Sequence, residues 1–115
     1  MNRKYSLKKT YEIEKLLKKK LSVGNKYYAI YYQITNEELP KIAISVSKKF
    51  KTAVKKNYEK RTIKEIVRNH LESLGNIKML IVAKISVGDL TFSEKEVQLA
   101  YLIKRILRSK NEKTN

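Results

Sequence analysis

The sequence predicts a small α+β domain, a two-layer sandwich in the order α-β-β-α-β-α with room for one extra short strand. The chain has 115 residues and a hydrophobic fraction of 42%, which suits a single domain with a modest core. Segments with helical spacing alternate with short runs of aromatic and β-branched residues. Because no repeat or Pro/Gly/Ser-rich linker divides the chain, we expect residues 1–115 to form one domain. Its ends, residues 1–8 and 109–115, are expected to fray.

The N-terminal half predicts one helix and two strands. Apolar residues at helical spacing indicate a helix over about residues 10–20, with Thr10 as its N-cap and Gly24-Asn25 after its end. Two β-rich segments follow, KYYAIYYQI at 26–34 and KIAISVS at 41–47. Since only a short polar turn joins them, we predict that they pair as antiparallel neighbours.

The C-terminal half predicts a long helix, a buried strand and a final helix. The long helix spans about residues 52–74 and ends at Gly75-Asn76, a pair typical of a C-cap. MLIVA at 79–83 is continuously apolar, which places it centrally in the sheet. The final amphipathic helix has two candidate capping boxes, Thr91 with Glu94 or Ser93 with Glu96.

The charge of the chain predicts a polyanionic partner. Its formal net charge is +16, and charge of that size repels itself unless a negative partner faces it. Nucleic acid is the first candidate and an anionic membrane surface the second. No apolar run is long enough to span a bilayer, the start MNRKYSLKK has no signal-peptide core, and cysteine is absent. We therefore expect a cytoplasmic location.

Catalytic chemistry is not indicated. The only histidine, His70, lies on the apolar side of the long helix, where a structural role is favoured. The chain has a single Asp, three glycines and no cluster of carboxylates, so neither a two-metal site nor a phosphate-binding glycine loop is predicted. We expect no catalytic residue, no metal ligand and no protein-bound cofactor.

The long helix carries a narrow polar stripe. At about 100° per residue, Asn57, Arg61, Lys64 and Arg68 fall within roughly 60° of one another, with Lys60 beside them. The apolar residues, from Ile63 to Leu74, occupy a different sector. The helix therefore has one side for the sheet and one for anions, although a solvated lysine face is the plainer alternative. The predicted contact set also includes the residues that precede or open the stripe: Lys48, Lys49 and Lys56.

A tyrosine-rich strand is the second candidate feature. Alternation along YYAIYY places Tyr27, Tyr31 and Gln33 on one face of the strand. Tyrosine is an ordinary strand residue, so packing in the sheet is one interpretation. The other is a stacking platform for the bases of a single-stranded nucleic acid.

The segment SVSKKFKTAVKKNYEKRTIKE at 45–65 resembles the signature of the bacterial ribonuclease P protein subunit, S-V-S-K-K-x-G-x-A-V-x-R-N-R-x-K-R. The match covers 45–49, Ala53-Val54, Asn57 and Lys60-Arg61, and the order of elements extends it over nearly the whole chain. The departures are Lys51 for the Gly, Lys56-Asn57-Tyr58 for Arg-Asn-Arg, and Ile13 and Leu17 at first-helix positions that are commonly aromatic.

The resemblance implies a left-handed βαβ crossover around the long helix. It also implies that an RNA subunit removes the 5′ leader of precursor tRNA by Mg²⁺-dependent hydrolysis, with the metal held mainly by RNA and substrate. The protein would bind the RNA subunit through its basic helix, without an obligate protein partner. It would bind the leader in a cleft between first helix and sheet, lined by Ile13, Leu17, Tyr27, Tyr31, Gln33 and Lys49.

Two other functions share the basic helix. A ribosomal-type structural RNA-binding protein would need no exposed Tyr31. A membrane-surface or DNA-binding helix is the third possibility, but the apolar side of the long helix has no Trp or Phe and is needed by the sheet.

Overall fold

The fold is an α+β domain built on one four-stranded sheet, as the sequence predicts. We describe it from a computed structural model, in which residues 5, 7, 10–19, 21–36 and 38–114 are described, with side chains except at 10–12, 19 and 110–114. The elements, in chain order, are α1 Thr10–Lys19, β1 Ser22–Gly24, β2 Tyr28–Ile34, β3 Lys41–Val46, α2 Ala53–Arg68, α3 Leu71–Leu74, β4 Ile77–Ala83, a 3-10 helix Ile85–Asp89 and α4 Phe92–Thr114. The short strand β1 is the extra strand that the predicted order allowed.

The sheet order is β1-β2-β4-β3, so the predicted pairing of β2 with β3 is wrong. β4 lies between them, antiparallel to β2 and parallel to β3. The connection after β2 crosses the end of β4, where the Thr35 N–H donates to the Asn76 carbonyl at 2.9 Å and the Asn76 side chain donates to the Thr35 carbonyl at 2.7 Å. β4 is buried at five of its seven positions, so its central position, which was predicted, covers both of its faces.

The main core lies between one face of the sheet and the helices α2 and α4. β4 contributes Ile77, Met79 and Ile81, all fully buried. The helical residues that were predicted to face the sheet, including Ile63 and Ile66, are also fully buried. The parallel pair β3 and β4 is therefore joined by a βαβ crossover through α2; the left hand of that crossover stays a prediction.

The long helix is shorter than predicted. It is interrupted at Asn69 and His70, whose N–H groups bond to carbonyls only three residues back, at Ile66 and Val67. A short helix, α3, then runs to Gly75, which has the positive φ of 60° that glycine tolerates. The predicted start is confirmed by Thr52, whose Oγ1 accepts the Lys55 N–H at 3.2 Å.

Helix α4 opens with the first of the two candidate capping boxes. Glu94 accepts the Thr91 N–H at 2.9 Å, and Thr91 Oγ1 accepts the Glu94 N–H at 3.2 Å. Hydrogen bonds from Thr91 to the carboxylate, first from its backbone N–H and then from its side chain, lower the pKa of the Glu94 carboxyl below its ordinary value. The helix continues to Thr114; Asn115 and most of residues 1–8 lie outside the described residues, so fraying of the ends stays a prediction.

Candidate nucleic-acid interface

The predicted basic stripe lies on the solvent side of α2. Asn57, Lys60, Arg61, Lys64 and Arg68 are exposed and Lys56 is half-buried, while the opposite side of the helix is in the core. Arg68 forms an ion pair at 2.5 Å with Glu65, and both side chains are at least half exposed. An exposed pair of this kind contributes little to stability, so a phosphate can replace the carboxylate at small cost.

The loop before α2 extends the stripe. Lys48 and Lys49 form an exposed turn in which Ser47 Oγ accepts the Lys49 N–H at 3.2 Å. The Ser47 N–H in turn donates to the Ala83 carbonyl at the end of β4, at 2.9 Å. The turn is thereby attached to the central strand, and the cations of loop and helix form one surface.

The second predicted feature, the face of Tyr31, lies on the other side of the sheet. Tyr31 is half-buried and packs, together with Ile13 of α1, against a small cluster made of Leu7, Leu16, Ala43 and Leu80. The structure therefore brings Ile13 and Tyr31 together, as predicted for a cleft between α1 and the sheet. Leu17 is 45% exposed on the same helix.

The cleft has a floor of small side chains. In the row next to Tyr31, Gly24, Ala29, Val82 and Ser45 are paired across all four strands, and each is at least partly exposed. On the other side of the Tyr31 row, Gln33 pairs with Lys78. A flat ring can approach this floor closely, with Tyr31 beside it.

Tyr27 does not share this face, so that prediction is wrong. It lies before β2, in a bend where Asn25 Oδ1 accepts the N–H groups of Tyr27 and Tyr28 at 2.8 and 2.9 Å. Its ring packs against the main core, on the side away from Tyr31. Strand alternation applies only inside a strand, and β2 begins one residue later.

A third feature was missed at the sequence level: a groove between α2, the turn before it, the 3-10 helix and the start of α4. It encloses about 1000 Å³. Cations line one side of it, and Tyr58, 48% exposed, lies on the α2 wall. The exposed cations are Lys49, Lys51, Lys55 and Arg61, and the lining also includes Lys95 and the exposed carboxylate of Asp89. Lys49, which was predicted to line the leader cleft, therefore lines this groove instead, and Arg61 is the one stripe residue that lines it as well.

A buried ion pair lies beneath the groove. Lys95 Nζ of α4 donates to Glu59 Oε2 of α2 at 2.9 Å, with the two side chains only 3% and 5% exposed. The same ammonium lies 4.8 Å from the centroid of the Tyr58 ring. Burial, and then the Glu59 charge, raise the pKa of the Tyr28 phenol above its ordinary value.

The sequence did contain a signal for this pair. The helical angles that put Ile63 and Ile66 in the apolar sector of α2 put Glu59, at about 300°, in the same sector. A carboxylate in that position needs a cationic partner from another element, but the angles do not identify Lys95.

The described residues offer neither a metal-binding cluster nor a membrane-spanning helix. Among the described residues, no three His, Asp or Glu side chains lie close enough together to hold a metal ion. In the same part of the chain, no helix has both the length and the apolar character needed to cross a bilayer.

Comparison with known proteins places the chain in a family. A family model described as Ribonuclease P matches residues 1–107. The ribonuclease P protein component of Bacillus velezensis is 34% identical over 107 residues, 91% of each chain. That of Mesomycoplasma hyopneumoniae is 35% identical over 111 residues, 94% of this chain and 96% of its own.

Solved structures agree with this placement. The RNase P protein of Staphylococcus aureus superposes with a TM-score of 0.81 at 28% identity, over 89% of this chain and 94% of its own. The RNase P protein of Thermotoga maritima has the same fold at 20% identity, with a TM-score of 0.79 over 87% of this chain and 96% of its own. Sequence and structure together show that this chain belongs to the ribonuclease P protein family.

Proposed function

We propose that this chain is the protein subunit of a ribonuclease P ribonucleoprotein that removes the 5′ leader of precursor tRNA in the cytoplasm. The observation that carries the proposal is the basic stripe of α2, presented by a chain that matches ribonuclease P proteins over nearly its whole length. The hydrolysis belongs to the RNA subunit, and the protein supplies binding and position.

The stripe supports binding of the RNA subunit. Its exposed cations face solvent from a helix whose other side is fixed in the core, so they approach phosphates without a change of fold. Each phosphate that is neutralised releases condensed counterions, which favours association at low salt. Lys48 and Lys49 extend the same surface beyond the end of the helix.

The cleft beside Tyr31 supports binding of the leader. A single-stranded leader can stack a base on the ring of Tyr31 while its sugar and phosphate lie over the floor of small side chains. Ile13 and Leu17 form an aliphatic wall on α1. Stacking in this cleft therefore depends mainly on Tyr31, and Tyr27 has no part in it.

Magnesium acts in this proposal on RNA and substrate rather than on protein ligands. The acidic residues whose side chains are described are scattered or, like Glu59 and Glu65, already paired with a cation. Mg²⁺ would stabilise the developing charge at the scissile phosphate. The protein cations reduce the repulsion between two RNAs, and so lower the Mg²⁺ concentration that assembly requires.

Reconstitution tests the function. The chain is combined with a Bacillus ribonuclease P RNA and a precursor tRNA at a Mg²⁺ concentration at which the RNA alone is nearly inactive. We expect cleavage at the mature 5′ end to be restored. A variant with three exposed cations of α4 replaced by Ala, at Lys104, Arg105 and Arg108, serves as the charge control and should also restore it. Binding of the RNA without any stimulation of cleavage would instead support a structural RNA-binding protein.

A further inference from the structure

The groove beside α2 is distinct from the leader cleft, which lies on the opposite face of the sheet. Its lining combines two properties, positive charge and exposed apolar surface. Its four exposed cations outnumber its one exposed carboxylate, Asp89, and three apolar side chains within it are exposed: Val54 at 76%, Tyr58 at 48% and Ile85 at 42%. A ligand that matches both properties carries negative charge and a flat apolar surface.

We propose that this groove binds one unpaired nucleotide of the RNA subunit, with its base stacked on Tyr58 and its phosphates held by Lys51, Lys55 and Arg61. The inference rests on the proposed function and names one contact within it. Base and phosphate account for the apolar and the cationic parts of the lining together. An acidic protein segment would use the cations but would leave the exposed ring without a matching surface.

The buried ion pair prepares the ring for stacking. Lys95 Nζ lies 4.8 Å from the ring centroid, where an ammonium is attracted to the π electrons, and Glu59 holds that ammonium at 2.9 Å. Because Lys95 is almost completely buried, one face of the ring is directed at the protein and the other at the groove. A ring that is oriented before binding loses less conformational entropy when a base stacks on it.

Local backbone contacts fix the same part of the helix. Thr62 Oγ1 donates to the Tyr58 carbonyl at 2.9 Å, one turn along α2. Phe50, which is buried, lines the groove near Gly88 and connects the turn before α2 to the 3-10 helix. The groove is therefore formed by packed elements of the protein itself.

Affinity for a Bacillus ribonuclease P RNA, measured by filter binding over a range of salt concentrations, tests the proposal. Tyr58→Ala should weaken binding by roughly tenfold, because the stacking surface is lost. Tyr58→Phe should remain within about twofold of wild type, since it keeps the ring. Tyr101→Ala is the matched control, because Tyr101 is also an exposed tyrosine, 58% exposed, but lies on α4 outside the groove; it should bind like wild type.

The salt dependence separates stacking from charge. Tyr58→Ala removes no cation, so the slope of log K against log salt should not change. Lys55→Ala removes one, and should reduce the magnitude of the slope by roughly 0.7 to 0.9. A change of slope in the tyrosine variant would contradict stacking.

Two further outcomes would overturn the proposal. Wild-type affinity in Tyr58→Ala would show that the ring makes no contact, and equal losses in Tyr58→Ala and Tyr58→Phe would assign the effect to the hydroxyl. If wild type itself does not bind the RNA, the proposed function fails as well, so the two failures are distinguishable.

Discussion

Removal of one partner of the buried Glu59–Lys95 pair should strongly destabilise the protein. Glu59→Leu leaves the Lys95 ammonium in a site where it is 3% exposed, and Lys95→Met leaves the Glu59 carboxylate, 5% exposed, in the same position. An unpaired charge cannot be rehydrated there unless the packing of α2 on α4 opens. The double variant Glu59→Leu/Lys95→Met removes both charges and keeps side chains of similar volume.

The expected changes in unfolding free energy differ between the single variants and the double variant, in sign as well as in size. Breaking a buried pair on one side costs about 3 to 5 kcal/mol of unfolding free energy, whereas replacing both partners by apolar groups is often neutral or stabilising. The second case is favoured here because Glu59 Oε1 and the Tyr28 hydroxyl are buried without a hydrogen-bond partner among the described residues. The pair therefore lacks some of its possible hydrogen bonds. Replacing both partners leaves no unpaired charge in the buried site.

These free energies convert to large shifts in melting temperature. A chain of 115 residues has an unfolding entropy near 0.24 kcal/mol per degree, so each single variant should melt about 12 to 20 °C below wild type. The double variant should melt within a few degrees of wild type or above it. Urea unfolding followed by circular dichroism at 222 nm measures the free energies, and thermal melting measures the temperatures.

The result that would refute this reasoning is additivity. If the loss in the double variant equals the sum of the two single losses, Glu59 and Lys95 do not interact. Single variants within about 1 kcal/mol of wild type would show that water reaches the pair. A matched control is available at Arg68, whose exposed pair with Glu65 should contribute less than about 1 kcal/mol when Arg68 is replaced by Ala.

Three other predictions concern the RNA contacts. Tyr31→Ala should lower the affinity of the reconstituted complex for precursor tRNA by roughly tenfold and leave mature tRNA unaffected, since only the precursor has a leader to stack; binding of both tRNA forms measures this. Replacement of Lys60, Arg61 and Lys64 by Ala should weaken binding of the RNA subunit with little change in melting temperature, because these side chains are exposed. Protein free of RNA should not cleave precursor tRNA at any Mg²⁺ concentration, because the described residues offer no cluster of metal ligands.

Each of these has a control and a contradicting result. Tyr31→Phe keeps the ring and should behave like wild type; equal losses for both tRNA forms would mean that Tyr31 only packs in the sheet. The control for the Lys60/Arg61/Lys64 variant is the α4 variant with Lys104, Arg105 and Arg108 replaced by Ala. Loss of the melting transition in the first of these variants would mean that the stripe is needed for folding. Site-specific cleavage without RNA would reverse our assignment of the hydrolysis.

Periodicity in the sequence was sufficient to predict the properties of each single helix or strand. The apolar sector of α2, the continuous apolar run of β4 and the first capping box of α4 all have the predicted roles. Each of these depends on residues close together in the chain. Local spacing determines which side of a helix or strand is apolar. That side is buried in the core whichever neighbouring element packs against it.

The errors arose where two distant segments compete for the same place. A short polar turn between β2 and β3 suggested a hairpin, but β4, more than thirty residues away, inserts between them. The gain comes from burying both faces of β4 in the centre of the sheet, which no local turn signal reports. The same limit explains Tyr27, whose orientation is set by Asn25 just outside the strand.

The candidate site also has features that local spacing predicts and features that depend on contacts between distant segments. The stripe of α2 was predictable because solvent exposure follows from the helical angle alone. The groove was not, because it needs the 3-10 helix and α4 to approach α2, and only then does Tyr58 have Lys95 on one side and open space on the other. A tyrosine next to a cationic stripe is, in the sequence, only a position without charge. Placed over a buried ammonium with cations around its free face, it becomes a surface on which a base can stack.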